Sequence, residues 1–288
     1  MAPRTTTHTS EPTLFIIGGG EDQIGKAALL RRFVKLAGGR RSRIVLVPTA
    51  SSFQAAVATA YDAVFRRLGA PGPEVVNPRS RAQGHDPALI ARLDAASGVF
   101  MSGGSQLKLS QYFPGTPLGD AIHRAHARGA VVGGTSAGAS IMSEFMIAMG
   151  EEGLTPRQRV SQMSHGLGLV KGVVIDQHFA QRTRYGRLMS VTAMSPNLVG
   201  VGIDEDTAIE VHGSSSFTVR GSGGVFVLDC RNAVTDAPDA RPGAPLLVSG
   251  AVIHQLPAGS VFDLVGVRLL AFTENHPDLG ITKAMAKA

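Results

Sequence analysis

The 288-residue chain has one cysteine, Cys230, and no tryptophan. A single thiol excludes an internal disulfide framework and any zinc site built on several cysteines. Charged residues are scarce at 17%, below the roughly 25% of an average soluble domain. No run of 18 or more apolar residues is present, so no segment reads as a membrane span. The first dozen residues are polar and threonine-rich, without the apolar core of a secretory signal. These absences predict a cytoplasmic protein with neither membrane nor secretion address. Glycine is plentiful at 35 residues and apolar residues reach 43%, which is too apolar for a disordered chain and lacks a collagen period. The net charge of +6 is spread along the chain, apart from Arg40, Arg41 and Arg43, which read as a solvated basic turn. Few aromatics accompany it, so nucleic acid is not the expected partner.

The first two thirds alternate short β-branched runs with helical patterns. Strands are expected at Leu14–Ile17, Arg43–Val47, Gly98–Met101 and Ala130–Val132, and helices at Asp22–Leu36, Ser52–Leu68 and Leu118–Ala127. Short strands joined by helices build a mostly parallel sheet flanked by helices, an α/β fold. Several strands end in glycine pairs, and ligands of such sheets gather outside the carboxyl ends of the strands. The last third reads as short antiparallel runs appended to the same sheet. The expected organisation is a disordered N-terminal arm over 1–12, one α/β domain over 13–273 and a tail over 274–288.

Gly20 to Lys26 has the spacing G-x-x-x-x-G-K of a phosphate loop. The following position, however, is Ala27 rather than Ser or Thr, and Glu21 and Asp22 would repel a polyphosphate. The motif reads as a tight turn with acids near a helix N-terminus. Gly134-Thr135-Ser136-Ala137-Gly138 is different: G-x-S-x-G between a strand and a helical run is the context of a nucleophile elbow. It presents Ser136 as nucleophile and the Ala137 N–H to a developing oxyanion. A serine needs a base and the base an orienting acid. Of nine histidines, His178 stands at the mouth of the apolar run Val173–Ile175, and Asp204, Glu205 and Asp206 stand at the mouth of Leu198–Ile203. Pattern alone does not choose among the three acids. The order Ser, His, acid disfavours the α/β-hydrolase fold, whose order is Ser, acid, His.

Taken together, Gly18–Asp22, Ser102–Leu107, Gly133–Ala139, Gly166–Leu169, Asp176–Phe179, Arg182, Arg184, Gly186–Leu188 and Gly202–Ala208 resemble the cyanophycinases, in the serine peptidase family that also holds the aspartyl dipeptidases. The resemblance implies a class I glutamine amidotransferase-like, flavodoxin-like fold. It implies Ser136 as nucleophile, His178 as base and Glu205 as the acid, with Gly104 and Ala137 as oxyanion donors. Gln106, Asp176, Gln177, Arg182, Arg184 and Arg187 match positions that hold substrate. It further implies hydrolysis of cyanophycin, an aspartate polymer with an arginine on each side-chain carboxyl, to β-aspartyl-arginine, by a homodimer without metal or organic cofactor. On physical grounds, a carboxylate in a dry cleft suits guanidinium partners, and a helix opening near Ala180 would set Arg184 and Arg187 on one face. Asp176 could meet a substrate guanidinium. An aspartyl or isoaspartyl dipeptidase, and a non-catalytic binding protein on the same scaffold, are the alternatives.

Overall fold

The computed structural model describes residues 12–213 and 215–273. The expected arm over 1–12, except Pro12, and the expected tail over 274–288 lie outside the described residues. Five strands form the parallel half of a nine-stranded sheet: β1 (Thr13–Ile17), β2 (Ile44–Val47), β3 (Glu74–Val75), β4 (Gly98–Met101) and β5 (Val131–Thr135), in spatial order β1-β5-β4-β2-β3. Their side chains alternate between two cores, as the two-residue period of a strand requires. Leu14, Ile16, Val45, Val47, Val99 and Met101 enter one core, and Phe15, Ile17, Ile44, Leu46 and Phe100 the other. Burial on both faces is why these strands read as unbroken apolar runs. Helices α1 (Ala28–Leu36) and α2 (Gln54–Arg67) cover the second face, packing Phe33, Tyr61 and Phe65 around Phe100. Helices α3 (Pro87–Asp94), α4 (Gln106–Tyr112) and α5 (Pro117–Ala127) supply Leu93, Leu109 and Ile122 to the first.

After β5 a short helix α6 (Ala137–Ser140) leads to the hairpin β6 (Phe145–Gly150) and β7 (Ser161–His165). The chain then departs from the single-sheet expectation. Strands β8 (Val173–Gln177) and β9 (Val199–Ile203) run parallel to each other in a separate four-stranded sheet, with α7 (Tyr185–Met194) between them in sequence. From β9 the chain returns to the first sheet, where β10 (Thr207–His212) pairs antiparallel with β1 and β11 (Ser216–Gly221) follows. Strand β12 (Gly224–Asp229) goes back to the second sheet beside β9. The pair β13 (Val234–Thr235) and β14 (Val248–Ser249) precedes β15 (Val252–Pro257), which edges the second sheet. Strands β16 (Ser260–Asp263) and β17 (Arg268–Phe272) complete the first. The antiparallel extension therefore serves two sheets rather than one. The sheets share a core, because Val173, Ile175, Val201, Val225 and Val227 of the second join the cluster that holds Leu14, Ile16 and Val132 of the first. Three strand ends, those of β5, β8 and β9, converge at the seam.

Two helix starts differ from expectation. The Asp22 carboxylate accepts hydrogen bonds from the N–H groups of Ile24, Gly25 and Ala27 at 2.7–2.9 Å. That turn delays α1 to Ala28, so Gly20–Lys26 is a capped loop rather than a phosphate-binding helix start. Likewise α7 opens at Tyr185 rather than near Ala180, because Thr183 adopts a positive φ of 51°, a left-handed conformation in which a helix does not continue.

Candidate active site

The site begins with backbone register. Pairing of β5 with β1 sets Thr135 opposite Ile17, and pairing with β4 sets Gly134 opposite Met101. Ser136 therefore emerges at the carboxyl edge beside the Gly103–Gly104 turn. A Cβ added at Gly103 would lie 3.2 Å from the Ser136 Cβ, a tight contact that a glycine avoids. Ser136 itself has φ 54° and ψ −111°. Such a backbone costs a non-glycine residue on the order of 1–3 kcal/mol and persists only where its surroundings fix it. In the second sheet, β8 and β9 pair so that Gln177 faces Ile203, which brings His178 and the Asp204–Asp206 turn side by side.

The loop after β1 joins the two. The Ile17 carbonyl accepts from the Ser136 N–H at 3.1 Å, the Gly18 carbonyl from His178 at 2.7 Å, and the Gly19 carbonyl from Asp206 at 2.8 Å. A side chain at Gly19 would collide with the His178 ring, and one at Gly20 would reach the Glu205 carboxylate at 2.8 Å. With that loop in place, the Ser136 Oγ lies 2.9 Å from His178 Nε2, and His178 Nδ1 lies 2.6 Å from Glu205 Oε1. Glu205 is the acid that meets the ring. Asp204 instead accepts from the N–H groups of Ala180 and Gly224, both at 3.0 Å. Asp206 accepts from the Ser222 hydroxyl at 2.8 Å and the Asp22 N–H at 3.3 Å.

The polar residues around this line fall into two groups. Asp176 and Arg187 are 1% and 5% exposed and pair with each other, the Arg187 Nε donating to Asp176 Oδ2 at 2.6 Å and its Nη2 to Oδ1. Arg184, 6% exposed, donates to the Gln177 carbonyl at 2.6 Å and to Gln177 Oε1 at 2.9 Å. Burial and the neighbouring Arg187 charge push its guanidinium below the usual arginine range, against the pull of Asp176. Arg184 and Arg187, expected to meet a bound carboxylate, and Asp176, expected to meet a guanidinium, are thus enclosed here and answer one another. Gln177 sits between Arg184 and the serine, its Oε1 3.5 Å from Ser136 Oγ. The second group is open to solvent. Arg182 is 51% exposed and 4.0 Å from the equally exposed Glu152, which also stands 3.5 Å from Arg184. Glu152, on the loop after β6, escaped sequence reading because nothing near it in the chain marks a site. Gln106, at the start of α4, donates its amide to the Ile147 carbonyl at 2.6 Å. Among the described residues no group of three or more His, Cys, Asp or Glu is arranged to hold a metal ion, and no helix is long and apolar enough to cross a membrane.

This arrangement can move a proton from a hydroxyl to an imidazole held by a carboxylate, the requirement of acyl transfer by serine. Known proteins agree. Residues 14–219 match the model of peptidase family S51. A cyanophycinase of Trichormus variabilis is 37% identical over 262 residues, covering 90% of this chain and 88% of that protein. One from Synechococcus elongatus is 34% identical over 267 residues, covering 92% and 83%. In fold, the crystal structure of a peptidase from an acI-B1 Actinobacterium superposes with a TM-score of 0.62 at 21% identity, covering 88% of this chain and 97% of that one. Matched along most of its length, the chain belongs to peptidase family S51 and is a serine-type peptidase.

Proposed function

We propose that this peptidase degrades cyanophycin from the chain end, releasing β-aspartyl-arginine through an acyl-enzyme on Ser136. The observation that carries the reading is the line Ser136 Oγ–His178 Nε2–Glu205 at 2.9 and 2.6 Å, together with relatives that are cyanophycinases over most of their length. Ser136 Oγ attacks the backbone carbonyl between two aspartyl units while His178 Nε2 takes its proton. Glu205 keeps the Nδ1 proton facing it and stabilises the imidazolium. The N–H groups of Ala137 and Gly104 receive the oxyanion. As the C–N bond breaks, His178 returns the proton to the leaving amine. Water then repeats the sequence on the ester and frees the acid. No metal or organic cofactor enters these steps.

Substrate recognition falls to the residues that remain open. Arg182 and Glu152, exposed and 4.0 Å apart, offer opposite charges suited to a zwitterionic unit carrying both carboxylate and guanidinium. Gln106, half-buried, and the buried Gln177, 3.5 Å from Ser136 Oγ, stand beside the serine. Asp176, Arg184 and Arg187 support Gln177 from behind. The same reading takes the protein as a cytoplasmic homodimer, which sedimentation of the purified chain tests.

The deciding experiment incubates purified protein with cyanophycin and identifies products by mass. β-Aspartyl-arginine from the wild type and none from Ser136→Ala is the expected result. Cleavage of aspartyl dipeptides with no action on the polymer would replace this reading with the dipeptidase one.

A further inference from the structure

Glu21 is the residue that the serine chemistry leaves unexplained. It is buried, and among the described residues no cation pairs with it. Its partners are neutral. Oε2 accepts from the Thr135 hydroxyl at 2.6 Å, and Oε1 from the Tyr61 hydroxyl at 2.5 Å and the Gln23 amide at 3.4 Å. Burial and the adjacent carboxylate hold Tyr61 protonated, its ionisation pushed well above the usual phenol range, so it remains a donor. Removing a carboxylate from water without a cation is costly unless its oxygens are fully hydrogen-bonded. The chain keeps one here, at a particular place. Glu21 follows the Gly18–Gly20 loop, whose Gly18 and Gly19 carbonyls hold the backbone of His178 and Asp206, while the Ile17 carbonyl just before that loop holds Ser136. Thr135, its partner through Oε2, is the residue immediately before the strained Ser136.

We propose that Glu21 is a positioning residue for the nucleophile: anchored by Tyr61, it grips Thr135 and so locks the elbow and the Gly18–Gly20 loop in the one arrangement that puts Ser136 Oγ within reach of His178. Glu21 touches no reacting atom and acts through Thr135. The proposal rests on the Ser136–His178–Glu205 reading and adds a residue that the motif itself does not contain. A carboxylate suits the task because it accepts two hydroxyls at once from opposite sides, which a neutral amide, with one acceptor oxygen, does less well.

Thr135→Val removes the hydroxyl at nearly constant shape, Thr135→Ser restores it, and Glu21→Gln weakens the acceptor. Active sites are counted by titration with a small organophosphorus serine reagent, so misfolded protein does not enter the rates. For Thr135→Val and Glu21→Gln, kcat on cyanophycin and the reagent's second-order rate at Ser136 should both fall 10- to 100-fold per titrated site. KM should stay within twofold. Thr135→Ser should recover to within threefold of wild type, and the double variant Glu21→Gln/Thr135→Val should be no slower than the slower single, because the two act as one unit. A Thr135→Val enzyme with unchanged rates overturns the proposal. So does a loss confined to the number of titratable sites or to KM, or losses that multiply in the double variant. Should Glu21→Gln fail to fold, the Thr135 pair decides alone. Hydrolysis surviving Ser136→Ala would remove the triad reading and this one with it, whereas an inert Ser136→Ala beside a fully active Thr135→Val removes only this one.

Discussion

Three consecutive acids follow β9, and their side chains take three separate tasks. Glu205 meets the imidazole, while Asp204 and Asp206 hold backbone and hydroxyl groups of neighbouring turns. Glu205→Gln should therefore lower kcat/KM on the order of 10³- to 10⁴-fold, the scale seen when a triad acid loses its charge, while the melting temperature stays within about 2 °C of wild type, since the amide still fills the space. Asp204→Asn should do the reverse, leaving chemistry nearly intact and lowering the melting temperature. Rates and thermal melts of the two variants check the pair of expectations, and the opposite pattern would transfer the acid's role to Asp204. Much at this scale was legible. A serine between small residues at a strand end, and a histidine at the mouth of another, carry a local signature. The choice of acid did not, because adjacent residues in a turn point in directions that only tertiary packing sets. For Arg184, Arg187 and Asp176 the mutual pairing was not legible for a related reason: spacing shows which charges are neighbours, and not how their side chains meet.

At the scale of elements, the central strands β1, β2, β4, β5, β8 and β9 were readable from their apolar runs, the edge pieces β3, β6 and β7 were not, and neither were the starts of α1 and α7. Helix α1 begins six residues after Asp22 because a single carboxylate captures three N–H groups, a local competition with helix that composition does not reveal. One interaction ties elements that are far apart in the chain. Glu210 on β10, buried, accepts from Arg32 Nε of α1 at 3.0 Å and pairs with Arg220 of β11. Burial pushes its carboxyl up, but hydrogen bonds from the two arginines outweigh this and hold it below the usual range. A group depressed in the folded state contributes stability above its unfolded value, near pH 4.3, and loses it as pH falls through the folded value. Glu210→Gln should cost about 2–3 kcal/mol at pH 7, short of the 3–5 kcal/mol for breaking a wholly buried pair, because both arginines stay partly in water. Urea titrations of the two proteins should show that difference shrinking below about pH 4. A gap that stays constant from pH 7 to pH 3 would assign the cost to packing instead.

For the whole molecule, the α/β architecture with a parallel half and an antiparallel extension followed from the order of runs along the chain. The division into two sheets did not. Only Asp204–Asp206 separate β9 from β10, which in sequence reads as a hairpin within one sheet. In the folded protein that turn carries the chain from one sheet to the other, fixed by the Gly18 N–H on the Thr207 carbonyl at 2.9 Å and by Asp206 on Gly19. Side-chain alternation is the same whether neighbouring strands pair or part, so the pattern was silent on the choice.

The seam has a consequence for how the enzyme fails and how it is made to last. Nucleophile and base belong to separately paired sheets, and side-chain packing, the glycine loop, the Asp204–Asp206 turn and long contacts such as Ser140 Oγ to the Ile175 carbonyl at 3.5 Å set the gap between Oγ and Nε2. The catalytic pair is thus a gauge of slippage. A displacement of about 1 Å is enough to cost roughly 100-fold in rate, yet it would leave every strand ladder whole. In rising urea, hydrolysis should decline at concentrations where the far-ultraviolet circular dichroism is still native, and should return on dilution; coincident transitions would mean the layers part only when the whole molecule unfolds. Conversely, a covalent adduct on Ser136 whose tetrahedral oxygens also engage His178 is a rivet driven through both layers, and the inhibited protein should outlast the free one in heat.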